Sequence, residues 1–99
     1  METAQEWGEA VGAALERLRS VTQEVRIAQT DDGWTISIGT VRVVVERRES
    51  IGGPAGHLVT ITGPEGIGML PFGTSDQTID AVEEEFRRHG VVVNLSNAG

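Results

Sequence analysis

Apolar residues return along this chain with two different periods. From Thr3 to Arg19 they recur every three or four positions, at Ala4, Trp7, Val11, Leu15 and Leu18, which puts them in one stripe of a helix. Thr3 and Glu6 have the spacing of a capping box at its start. Beyond Val21 the period falls to two. Val25 and Ile27 alternate with Glu24, Arg26 and Ala28; Trp34, Ile36 and Ile38 alternate with Thr35 and Ser37; Val41, Val43 and Val45 alternate with Arg42, Val44 and Glu46. Alternation of this kind predicts strands with one buried face. The Asp31-Asp32-Gly33 turn would place Gly33 at positive φ, and Gly39-Thr40 fits a two-residue hairpin loop with glycine first.

The stretch from Glu49 to His57 holds three glycines and a proline and predicts a loop. Leu58 to Thr62 reads as a fourth strand. Gly63-Pro64-Glu65-Gly66 then makes a hairpin turn, with Pro64 at its first central position. Ile67, Met69 and Leu70 form a fifth strand that Pro71 ends or confines to an edge. The helical period resumes over 75–89 with Ile79, Val82 and Phe86 inward, Thr74 and Gln77 as a second capping box, and Gly90 as the residue past the end. These signals predict an α+β domain over residues 1–99. Its parts are a helix over 3–19, a meander of about five antiparallel strands over 21–72, a helix over 75–89, a short strand over 91–94 and a tail over 95–99. Both helices would bury their stripes on one face of the sheet.

Composition narrows the function classes. A chain of 99 residues buries roughly 65% of its unfolded surface, enough for one core. Trp7, Trp34, Phe72 and Phe86 are its only aromatics, so aliphatic residues must carry that core. The absence of cysteine excludes disulfides, thiolate zinc sites and a cysteine nucleophile. The net charge is −7, and all 8 cations are arginine. Such an acidic chain is poorly suited to holding nucleic acid directly. The acidic start has no apolar run, which predicts neither a secretory signal nor a membrane span and favours the cytoplasm.

One segment has the look of chemistry. Thr62 to Ser75 spaces Gly68 and Gly73 like a phosphate-binding loop, but Thr74 stands where lysine is required. Ile67, Met69, Leu70 and Phe72 are also too apolar for a loop of bare backbone, so hairpin, strand and helix cap account for it. His57 and His89 lack the spacing of metal ligands. No catalytic set, cofactor site or metal site is predicted.

Two surfaces are candidates for a protein partner. With Val41, Val43 and Val45 facing the core, Arg42, Val44 and Arg48 lie on the outer face of the sheet beside Arg26, Thr35 and Ser37. On the second helix, Asp76, Asp80, Glu83 and Glu84 form an acidic side, supported by Glu83–Arg87 and Glu84–Arg88 pairs. The leading expectation is a non-enzymatic, acidic protein-binding module, as adaptor, chaperone-like subunit or inhibitor. One alternative is a nucleic-acid mimic of phage or mobile-element type, which would occupy the groove of a nucleic-acid-binding protein. Another is a small-ligand binder at residues 62–75. Gly8 and Gly12 leave a flat strip on the first helix for a sheet or for a second copy, so a homodimer is allowed through this strip or through an edge strand.

Overall fold

The computed structural model describes residues 2–21, 24–49 and 57–95. The loop expected after Glu49 lies mostly outside these residues. The elements run α1 (Ala4–Val21), β1 (Val25–Gln29), β2 (Gly33–Ile38), β3 (Val41–Glu49), β4 (His57–Gly63), β5 (Gly66–Pro71) and α2 (Ser75–Arg88). The strands form one antiparallel sheet in the order β1-β2-β3-β4-β5. This is the expected α+β arrangement, with the first helix extending to Val21.

The inner face of the sheet presents Ile36, Ile38, Val41, Val43, Val45, Val59 and Ile61. Val11, Ala14, Leu15 and Leu18 of α1 and Ile79, Val82 and Phe86 of α2 close on it, all buried. Burying one aliphatic or aromatic side chain of this size contributes about 1.5–3 kcal/mol. Trp7 joins the layers. Its ring lies 5.6 Å from that of Trp34, and its Nε1 donates to Thr78 Oγ1 at 3.0 Å. Gly12 lies under Trp34, where an added Cβ would stand 3.6 Å from the ring, so half of the glycine strip packs within the chain.

Both capping boxes form. Thr3 N donates to Glu6 Oε1 and Glu6 N to Thr3 Oγ1; Thr74 N donates to Gln77 Oε1 and Gln77 N to Thr74 Oγ1. The Thr3 bonds hold the Glu6 carboxyl below its ordinary pKa. At the far end of α2, Val91 N donates to Phe86 O and Gly90 N to Arg87 O, with Gly90 at φ 81°, the closure that a left-handed glycine permits.

Three expectations need correction. Gly33 is not left-handed; only Gly39, Gly66 and Gly90 have positive φ among the described glycines. An added Cβ at Gly33 would instead strike the Val45 carbonyl, so close approach of β3 is what selects glycine there. The short strand over 91–94 does not form, since Val91 to Leu95 pair with no strand. Nor does the tail begin at Leu95, which is 1% exposed and whose carbonyl accepts from Arg17 Nη2 at 3.0 Å. Apolar insertion, not strand pairing, holds this segment.

Candidate functional site

Both helices lie on one side, so the outer face of the sheet is uncovered. Register places Arg26, Ser37 and Arg42 in one row across β1, β2 and β3, and Ala28, Thr35, Val44, Thr62 and Ile67 in the next. Arg42 is exposed and Val44 half-buried, as the alternation requires. A shallow hollow of ≈ 1040 Å³ opens here, with Arg26, Arg42, Val44, Ser37 and Thr62 in its lining.

The arginines divide sharply. Arg17 holds the Leu95 carbonyl, and Arg19 reaches Ile27 O and Glu16. Arg47 sits over Trp7, 5.8 Å from the ring centroid, with Glu49 at 3.7 Å. Arg48 lies between Asp32 and Glu46, at 3.6 and 3.4 Å. Arg87 and Arg88 pair on α2. Arg26 and Arg42 alone, among the described residues, have neither an ion pair nor a side-chain hydrogen bond. They stand two strands apart, about 10 Å, with only Ser37 between them. Arg48, predicted to share their role, is instead tied to two carboxylates. Arg26 was visible as an outward residue, but its lack of a partner depends on what the fold brings near.

The acidic side of α2 is only partly assembled. Asp76 and Asp80 are exposed, but Glu83 is 8% exposed and points inward. Arg87 is held by Glu84 at 2.8 Å, three positions back, rather than by Glu83. Glu84 also lies 3.8 Å from Arg88, as predicted. The outward charge that remains unneutralised is that of Asp76 and Asp80.

The Gly-rich segment resolves into a β4–β5 hairpin, β5 and the cap of α2. Its helix start is already occupied by an anion of the chain itself. Glu2 accepts from Ser75 N at 2.8 Å and from Ser75 Oγ at 2.5 Å. Thr74 and Gln77 take up further donors. A phosphate would have to displace a carboxylate 73 residues away in sequence, a contact that no local spacing reveals.

Phe72 is the one described non-glycine residue at positive φ, at 56°, and its side chain is 65% exposed. A left-handed aromatic residue carries about 1 kcal/mol or more of backbone strain. Phe72→Gly is therefore expected to raise the thermal midpoint by about 4 °C. An unchanged or lowered midpoint would show that the ring, which meets His57 edge-on at 6.2 Å, packs strongly enough to offset the strain.

A cleft of ≈ 570 Å³ between the start of α1 and the β1–β2 turn has Trp7, Gly8, Asp31, Trp34, Arg47 and Glu49 in its lining. The side chain of Arg47 is 9% exposed, and its Nε and Nη1 lack hydrogen-bond acceptors. Arg47 continues the inward phase of Val41, Val43 and Val45, so an inward cation was legible there. The histidines have local roles: His57 Nε2 lies 2.8 Å from Gly73 O, and His89 Nε2 lies 3.6 Å from Glu85. No three described acidic or histidine side chains gather as metal ligands, and no helix among the described residues is long and apolar enough to cross a membrane. Neither a known protein family, nor a curated protein, nor a solved structure matches the chain.

Proposed function

We propose that this protein is a non-enzymatic binding module, an adaptor, chaperone-like subunit or inhibitor, that meets another protein with the outer face of its sheet. The observation that supports this is the Arg26–Arg42 pair, unpartnered at a hollow beside Val44, while every other arginine is engaged within the chain. Arginine beside an apolar floor is a common anchor of protein interfaces, and its planar fork suits a carboxylate. The partner would therefore present acidic side chains about 10 Å apart, flanking an apolar one.

Both arginines are exposed, so substituting them leaves the core intact. Arg26→Ala with Arg42→Ala is expected to weaken partner binding by about 100-fold or more, with the thermal midpoint unmoved. Titration calorimetry against the purified partner measures this. Full affinity in the double variant would remove the outer face from consideration. The nucleic-acid-mimic reading now rests on Asp76 and Asp80, and the small-ligand reading has lost its anion position to Glu2. The outer-face reading is the one we retain.

A further inference from the structure

We propose that β5 pairs with β5 of a second copy of this chain, joining two sheets edge to edge about a two-fold axis at Gly68. The two edges of the sheet differ. At β1, Arg19 Nη2 caps the outward Ile27 carbonyl at 3.4 Å, and Arg26 adds a charge. Gly66 to Pro71 carries no charge, and Ile67 and Met69 on it are 62% and 64% exposed. Edge strands are ordinarily guarded by charge, cover or a bulge, and among the described residues β5 has none of these beyond Pro71.

The ladder fixes which backbone groups are available. Phe72 N donates to His57 O at 2.9 Å, and the β4–β5 register runs from Leu58↔Pro71 to Gly63↔Gly66. By antiparallel alternation, Leu70, Gly68 and Gly66 bond to β4, while the amide groups of Ile67 and Met69 point away from the sheet. Pro71 also points away but has no N–H. A two-fold centred on Gly68 sets Ile67 against Met69 of the second copy. It uses both outward N–H groups and leaves Pro71 outside the paired region. A centre at Met69 would bring Pro71 into the ladder and strand the Ile67 carbonyl opposite it.

Side chains agree with this register. Gly68 meets Gly68 of the second copy at a non-hydrogen-bonded position, where backbones approach to about 4.5 Å. On the outer face, Ile67 and Met69 form apolar cross-strand pairs. No like charges face one another along the strand.

Two physical consequences distinguish a second copy from a foreign strand on this edge. The edge and its few side chains bury far less than the roughly 800 Å² per partner of a stable interface, so this dimer dissociates on dilution. Each copy carries −7, so raising salt screens their repulsion and tightens the dimer. A foreign basic strand on the same edge would loosen instead.

Sedimentation equilibrium over about 5 to 500 µM tests the proposal. The expected result is a concentration-dependent dimer that tightens between about 50 and 500 mM NaCl. Met69→Lys and Ile67→Lys, both at exposed positions, should each weaken it about tenfold or more with circular dichroism unchanged. A monomer at the highest concentration in both salts, or a dimer indifferent to both substitutions, overturns it. So does a wild-type monomer whose capture of a purified partner is lost in Met69→Lys, because a foreign strand then occupies β5. None of these outcomes bears on Arg26 and Arg42, whose role the calorimetry above decides separately.

Discussion

Trp7→Ala is expected to remove about 4 kcal/mol of stability, a large part of what a 99-residue domain has. The side chain is 4% exposed and contacts Trp34, so its loss opens a cavity beneath the start of α1. It also strips two polar neighbours. Thr78 Oγ1 loses the indole donor, and Arg47 loses the ring beneath its guanidinium while its Nε and Nη1 already lack acceptors. Trp7→Phe keeps one six-membered ring but loses the rest of the indole together with its N–H, so its cost should be smaller, at about 2 kcal/mol. Urea unfolding of the two variants separates these terms. A loss under about 1 kcal/mol for alanine would mean that α1 repacks freely and that Trp7 is not the link between layers.

Gly33→Ala should be nearly as damaging, at about 3 kcal/mol, for a different reason. The new Cβ would meet the Val45 carbonyl, a backbone atom already held in the β2–β3 ladder through Trp34↔Val45. Strand β3 would have to move, and the turn would move with it. Gly33 N donates to Thr30 Oγ1, Thr30 N to Gly33 O, and Arg47 N to Asp32 O. Gly33→Asn discriminates between the two accounts of this glycine. Asparagine tolerates left-handed backbone, so it would rescue a position that needed positive φ. Close approach predicts that asparagine fails as alanine does. Denaturation midpoints for Ala and Asn variants decide it, and a wild-type-like Asn variant would reject the steric account.

The sequence made legible whatever is decided within a turn or a strand. The stripes of both helices, the alternation of β2 and β3, both capping boxes and the Gly90 closure depend on neighbours at most a few positions away. What escaped depends on distant chain. Gly33 looked like a turn glycine because Val45 cannot be seen from residues 31–34. Glu83 looked outward because its spacing matches Asp76 and Asp80, yet it lies on the boundary where α2 meets the core. Val91 to Val93 have the composition of a strand, but they pair with neither edge of the sheet; the segment is held instead by the burial of Leu95. The outer face was legible as a face; the isolation of Arg26 and Arg42 on it required knowing where six other arginines go.

The strand order carries a further consequence, for chain entropy. Each strand lies beside its neighbour in sequence, and three of the four strand connections are tight turns or short loops. The contacts that close the molecule span far more chain: Trp7 to Thr78, Glu2 to Ser75 and Arg17 to Leu95, with separations of 71, 73 and 78 residues. Closing a loop of that size costs about 2.5 kcal/mol more than closing a four-residue turn. Yet all three contacts close nearly the same loop. Once the indole finds Thr78, the carboxylate of Glu2 and the guanidinium of Arg17 are already near their partners. The entropic cost of large-loop closure is therefore borne essentially once, at the docking of the first helix.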